Sequence, residues 1–182
     1  MGPFRMMDLV GLDLGWRARK LSGKESPLHA KIGDELCEQN RYGQKNSAGY
    51  YNYSEGSRAP NPAPENEELY EKISSENGFT RREISDEEIV DRCILALINE
   101  GSAILSEGVS QRAADIDVVY INGYGFPEVT GGPMFWADQQ GLDTILEDIK
   151  RFGEEYGGDV WKPAPLLEKL VSEGKGFASL ES

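Results

Sequence analysis

The chain has 182 residues, of which 38% are hydrophobic and 28% charged, the balance of an ordinary globular protein with room for one domain or two small ones. Its 32 acidic against 19 basic residues leave a formal charge of −13, a field that repels nucleic acid and anionic membranes and suits a solvated exterior. No apolar run approaches the ~20 residues of a membrane span, and no signal-peptide pattern opens the chain. Cys37 and Cys93 lack CxxC or metal-ligand spacing, which points to a reducing, cytoplasmic setting.

In chain order, Pro3 suits the first turn of a helix, where its missing N–H costs nothing. Phe4, Met7, Val10 and Leu12 follow at roughly helical spacing. Arg17, Arg19 and Lys20 form a basic cluster that either offsets the negative end of a helix dipole or meets an anionic ligand. Ile32 to Glu38 reads as a short amphipathic helix. A turn-rich loop comes next, closed by Tyr50, Tyr51 and Tyr53, whose rings are expected to pack the loop onto a core. From Ser54 to Glu68 the composition turns to Gly, Ser, Asn and three prolines, the mark of a stiff linker. A boundary is therefore expected after residue 64, dividing the chain into 1–64 and 65–182.

Ser85 and Glu88 form a capping box. Behind it Ile89, Val90, Cys93, Ile94, Leu97, Ile98, Ile104 and Leu105 recur at helical period, predicting a long helix that buries the Cys93 thiol. Gly108 is placed to end this helix, and Gly101 would let another helix approach closely. Asn99 and Glu100 read as a solvated flank. Helices are further predicted over 113–120, 144–152 and 165–171, with Trp161 and Phe177 packed against them. The fold class is all-α.

One motif occurs twice. Gly2-Pro3-Phe4-Arg5-Met6-Met7-Asp8-Leu9-Val10-Gly11-Leu12-Asp13 and Gly132-Pro133-Met134-Phe135-Trp136-Ala137-Asp138-Gln139-Gln140-Gly141-Leu142-Asp143 share G-P-x4-D-x2-G-L-D. The offset of 130 residues (132 − 2) is too long for a solenoid unit and implies a duplicated block of domain size. The second copy has a long segment before it and the first has none, so the first block is expected to be truncated and the second complete. Gly131-Gly132-Pro133 can present backbone N–H groups to an anion at a helix start. Asp8, Asp13, Asp138 and Asp143 are expected to cap or pack rather than catalyse.

Chemistry is otherwise sparse. The chain has no dinucleotide fingerprint, Walker loop or metal-ligand cluster, and its single histidine, His29, lies in a polar stretch. No complete active site, cofactor site or metal site is legible.

Several motifs together resemble the C-terminal portion of 3-hydroxyacyl-CoA dehydrogenases, as in the bifunctional enoyl-CoA hydratase/3-hydroxyacyl-CoA dehydrogenases of fatty-acid β-oxidation. They are Met1-Gly2-Pro3-Phe4, Gly11-Leu12-Asp13-Leu14-Gly15-Trp16, Arg41-Tyr42-Gly43-Gln44-Lys45, Gly49-Tyr50-Tyr51-Asn52-Tyr53, Leu97-Ile98-Asn99-Glu100, Ile116-Asp117-Val118-Val119 and Gly123-Tyr124-Gly125-Phe126-Pro127. The resemblance implies a parent enzyme whose Rossmann domain binds NAD and carries a catalytic His–Glu pair, followed by two helical domains that complete the acyl-CoA site and support dimer or domain packing. It implies that Met1, Gly2, Pro3 and Phe4 lie near the acyl chain in the intact enzyme. The family's catalytic Asn, in an Asn-Arg pair, would precede Met1, and the second block has Asp91-Arg92 at the matching place. The expected partners are the parent's Rossmann domain, acyl-CoA and a homodimer mate, with no catalytic residue in this chain and a peroxisomal location in a eukaryote. The rival expectation is a free-standing helical interaction or dimerisation module.

Overall fold

The structure is a computed structural model that describes residues 1–180. The chain divides into two compact units, Met1–Glu83 and Ile84–Ser182. Among the described residues every regular element is helical, apart from isolated bridges in the loop that joins Gly43, Ala48, Asn52 and Asn61.

In the first unit, helix α1 (Pro3–Val10) starts on its proline and ends at Gly11, whose N–H reaches Met7 O at 2.9 Å. Helix α2 (Asp13–Ser22) carries Arg19 and Lys20 in its last turn, where they complement the helix dipole. Each also has an ionic partner: Arg19 pairs with Asp34, and Lys20 with Glu38 at 2.6 Å. Helix α3 (Lys31–Glu38) packs on α2 and buries Leu36 and Cys37.

The expected boundary after residue 64 is not where the units part. Helix α4 (Glu67–Glu76) packs on α3, and the structure places residues 65–83 in the first unit. Polar chemistry holds them there. Asn66 is buried and donates to Gly49 O and Tyr50 O, both at 3.2 Å, while Lys31 Nζ donates to Asn77 Oδ1 at 2.8 Å. The proline-rich stretch acts as a strap: Asn52 and Asn61 exchange backbone hydrogen bonds of 3.0 and 2.8 Å, and Arg41 reaches Glu65 at 3.0 Å. Composition suggested a linker because proline and small polar residues serve both roles.

In the second unit, helix α5 (Asp86–Ser106) is the central rod. Ser85 Oγ accepts the Glu88 N–H at 3.2 Å, and Gly108 follows the helix in the left-handed region at φ +72°. Helices α7 (Pro133–Gln140), α8 (Leu142–Tyr156) and α9 (Pro165–Glu173) pack on α5, and α6 (Ala113–Tyr124) packs on α7. The shared core holds Leu95, Ile98, Ile116, Met134, Ile149, Phe152, Leu167 and Phe177, with Trp161 at its margin.

The buried stripe of α5 differs from the periodic one. Leu95, Ile98, Asn99, Gly101 and Ser102 face the core, whereas Ile89, Val90 and Cys93 are exposed. Asn99 can be buried because every polar atom of its amide is used. Its Nδ2 donates to Val160 O at 3.0 Å and Lys162 O at 2.8 Å, and its Oδ1 accepts the Ala164 N–H at 2.8 Å. Gly101 then lets α7 approach, since a Cβ there would lie 2.6 Å from Met134 Sδ. Hydrophobic period alone pointed to the neighbouring face, because small and amide side chains carry no apolar signal.

Candidate functional site

The two copies of the motif build the same device. In the first unit Asp8 is completely buried. Its Oδ1 accepts the Tyr50 N–H at 2.9 Å, and its Oδ2 accepts the Tyr51 N–H at 3.0 Å and the Tyr53 hydroxyl at 2.9 Å. In the second unit Asp138 accepts the N–H groups of Phe177 at 2.8 Å and Ala178 at 2.9 Å. A glycine precedes each accepted pair. A Cβ on Gly49 would lie 2.1 Å from Asp8 Oδ1, and one on Gly176 would lie 2.7 Å from Asp138 Oδ1. The glycines Gly11 and Gly141 that follow the two helices match as well, at φ +100°, ψ 118° and φ +92°, ψ 121°.

The expectation that the motif aspartates cap and pack is met. Charge-assisted bonds to consecutive backbone N–H groups pin a distant loop onto the motif helix, and they occupy the carboxylates that acid–base chemistry would need. Asp13 is buried and paired with Lys45 and with Arg17, the latter at 3.2 Å. The Lys45 hydrogen bond outweighs burial and holds its carboxyl below the usual range. Asp143 is exposed at the start of α8, where it faces the positive end of the helix dipole.

The second copy carries a further carboxylate that sequence reading missed. Asp117 on α6 accepts the Met134 N–H at 2.7 Å and the Phe135 N–H at 3.1 Å, so the anion at the Gly131-Gly132-Pro133 helix start is the protein's own side chain. Gly132 makes room, since a Cβ there would lie 2.4 Å from Asp117 Cβ. The signal was present in Ile116-Asp117, but nothing in sequence tied it to a helix 17 residues later.

The residues expected near a substrate, Met1, Gly2, Pro3 and Phe4, are all exposed. The Phe4 ring stacks on Tyr50 with centroids 4.5 Å apart, at the edge of a cleft of about 370 Å³ that also involves Ile32, Pro62, Pro64 and Tyr70. Burial pushes the Tyr50 hydroxyl up to about 12, so it stays a neutral phenol. Beside α1 a second cleft of about 300 Å³ runs along Met6, Met7, Val10 and Leu14 to Arg19 and the exposed His29. At its floor Asp34 is held by Arg19 Nε at 2.8 Å and by Ser26. Burial would raise the Asp34 carboxyl, but the Arg19 and Ser26 hydrogen bonds and the Arg19 charge override it and keep it below the usual range. Asp91 is half-buried, and the adjacent Arg92 pairs with Glu88 at 2.6 Å while its guanidinium lies 3.6 Å from the Tyr156 ring centroid.

The described residues contain no β-strand, and hence no strand–glycine turn–helix to cradle a dinucleotide pyrophosphate. No group of three or more potential metal ligands occurs among them, and no helix there is long and apolar enough to cross a membrane.

Comparison with known proteins agrees with the duplicated geometry. The family described as 3-hydroxyacyl-CoA dehydrogenase, C-terminal domain, matches residues 1–53 and 89–178, one stretch in each unit. The peroxisomal bifunctional enzyme of Danio rerio is 42% identical over 96% of this chain, which covers 26% of that protein. The fatty acid oxidation complex subunit alpha of Shewanella sp. is 30% identical over 97% of this chain and 25% of its own length. Among solved structures, the dehydrogenase part of multifunctional enzyme 1 from C. elegans superposes with a TM-score of 0.68 at 26% identity, covering 93% of this chain and 38% of that one. The chain thus spans about a quarter of the length of the curated relatives it matches. Its two motif helices, each pinned by the same buried or half-buried aspartate, and the family match over most of its length lead to one conclusion: this chain belongs to the 3-hydroxyacyl-CoA dehydrogenase C-terminal domain family.

Proposed function

We propose that the chain is the C-terminal helical part of an NAD-dependent 3-hydroxyacyl-CoA dehydrogenase of fatty-acid β-oxidation, where it completes the acyl-CoA site and supports domain or dimer packing. The observation that carries this reading is the exposed apolar rim of the first unit. Phe4, Met6, Met7, Leu9, Val10 and Leu14 are each at least 41% exposed in a family member whose relatives are some four times longer. In the intact enzyme Met1, Gly2, Pro3 and Phe4 form a wall for the acyl chain, with Phe4 braced by Tyr50. NAD would be held by a separate domain, where it would supply the hydride-accepting chemistry. The side chains of this chain exclude water and shape the apolar wall, and none of them moves a proton. A eukaryotic parent is peroxisomal, as the name of the Danio rerio relative states for that protein.

The test has two arms. The purified chain, given NAD and a 3-hydroxyacyl-CoA, produces no NADH, and production at a substantial rate overturns the proposal. Extended at its N-terminus with the dehydrogenase region that precedes the match in the Danio rerio enzyme, the chain gains activity. There Phe4→Ala raises KM for a long-chain substrate about 5- to 10-fold, the effect of losing part of an apolar contact.

A further inference from the structure

Asn77 and Asn122 are the two asparagines that precede a glycine, and the fold treats them differently. Asn122 is exposed but lies in the last turn of α6, where its Nδ2 donates to Val118 O at 2.8 Å. The Tyr120 and Tyr124 rings, 5.2 Å apart, and the edge of Phe126 close over that helix end. Asn77 is half-buried and stands just past α4, at φ −105° and ψ 12°. Gly78 follows in the left-handed region at φ +75°. Its N–H donates to Ser75 O at 3.1 Å and the Phe79 N–H to Ser74 O at 2.8 Å, the paired bonds of a Schellman helix end. The exposed Phe79 ring covers nothing comparable. The Asn77 amide is held from two sides: Nδ2 donates to Ile73 O at 2.7 Å, and Oδ1 accepts Lys31 Nζ at 2.8 Å, which ties α4 to α3.

We infer that Asn77 is a modification site, deamidated through attack by the Gly78 nitrogen and assisted by Lys31, while Asn122 is spared. Both glycines leave the attacking nitrogen unshielded, with open space where a Cβ would be. Two features single out Asn77. Attack requires rotation about its ψ, which opens only the closing bonds of α4, whereas the same rotation at Asn122 unwinds the last turn of α6 beneath its aromatic cover. Lys31 also sets an ammonium on Oδ1, the oxygen where negative charge grows as the tetrahedral intermediate forms. The Gly78 nitrogen gives up its proton and bonds to Asn77 Cγ. The Cγ–Nδ2 bond then breaks, and the amide nitrogen leaves as ammonia with that proton. Water opens the resulting cyclic imide at either carbonyl, giving aspartate or isoaspartate, with nothing oxidised or reduced. Either product puts a carboxylate oxygen in place of the donor to Ile73 O. Isoaspartate also adds a methylene to the main chain, so the bonds that close α4 no longer meet their carbonyls. The end of α4 then loosens from α3.

The test ages the full chain in warm, mildly alkaline buffer and maps its proteolytic peptides by mass, with an isoaspartate-specific methyltransferase as a second reporter. The mass gain of NH2 becoming OH is expected in the Asn77 peptide about 5- to 10-fold faster than in the Asn122 peptide, the ratio set by the two local opening equilibria. In heavy-oxygen water the product carries one solvent oxygen. In denaturant, where both sites are open Asn-Gly pairs, the two rates converge; this comparison needs no variant. Lys31→Met slows the Asn77 reaction about 3- to 10-fold and leaves Asn122 unchanged, and Lys31→Arg restores it. Asn77→Gln removes the mass gain at that position alone. In the aged chain, hydrogen exchange quickens at Gly78 and Phe79, while Leu95 and Ile98 keep their protection. Equal native rates, or a faster reaction at Asn122, overturn the site. Acceleration of the Asn77 reaction by Lys31→Met, with α3 still protected from exchange, overturns the assisting role, because the ammonium would then only restrain the amide.

Discussion

Asp8 and Tyr50, 42 residues apart, are joined at 2.9 Å by a hydrogen bond from the Tyr50 backbone N–H to a carboxylate that no solvent reaches. With the Tyr51 N–H and the Tyr53 hydroxyl on its other oxygen, Asp8 ties the tyrosine loop to α1. Asn cannot replace it, because its amide nitrogen would face a donor. Asp8→Asn is expected to destabilise the first unit by about 2–4 kcal/mol, as unmatched buried donors do. Chemical denaturation followed by tyrosine fluorescence and by amide exchange at Tyr50 and Tyr51 checks this. Asp138→Asn should act on the second unit instead, loosening Phe177 and Ala178.

Glycine substitutions should split by position. Gly49→Ala forces a Cβ to within 2.1 Å of Asp8 Oδ1 and is expected to cost about 2–3 kcal/mol or more. Gly123→Ala, inside α6 with nothing within 4 Å, is expected to gain about 0.5–1 kcal/mol from helix propensity. Opposite shifts in thermal midpoint verify the pair, and equal effects would refute the crowding argument.

The two motif helices differ in how much their apolar residues matter to the isolated chain. Met134→Ala empties a fully buried site and is expected to cost about 2–5 kcal/mol. Phe4→Ala, at a half-exposed site, should cost less than about 1 kcal/mol in the chain alone. Urea titration of both variants separates them.

Acid should weaken the first unit through Asp34. Its folded carboxyl lies below its unfolded value of about 3.9, so its contribution is fully present above that value and is lost as pH falls through the lowered folded value. Denaturation midpoints should therefore drop from about pH 5 to pH 3, and Asp34→Asn should flatten that part of the profile. A midpoint profile unchanged by the substitution would count against the Arg19–Asp34 pairing as its source.

The two thiols should behave as opposites. Cys37 is buried at 1% exposure and its thiol is pushed up to about 12 by burial, so it stays protonated and unreactive. Cys93 is exposed on α5. A thiol-specific reagent at neutral pH should label Cys93 alone in the native chain and Cys37 only with denaturant present. Mass mapping of the labelled peptides decides it.

The sequence alone determined the all-α class, the starts of the helices at Pro3, Ser85, Pro133 and Pro165, the doubled motif and the family. Each of these depends on local chemistry: a proline that fits the first turn, a capping side chain, a helical period, or a residue string that recurs. Only the tertiary structure decided what the motif aspartates hold, that Asp117 rather than a ligand caps α7, that Asn99 is buried while Cys93 is exposed, and that residues 65–83 belong with the first unit. Those outcomes depend on partners 17 to 65 residues away. A buried amide or carboxylate is stable only where backbone groups from such distant segments converge on it, and no local pattern of residues records that convergence.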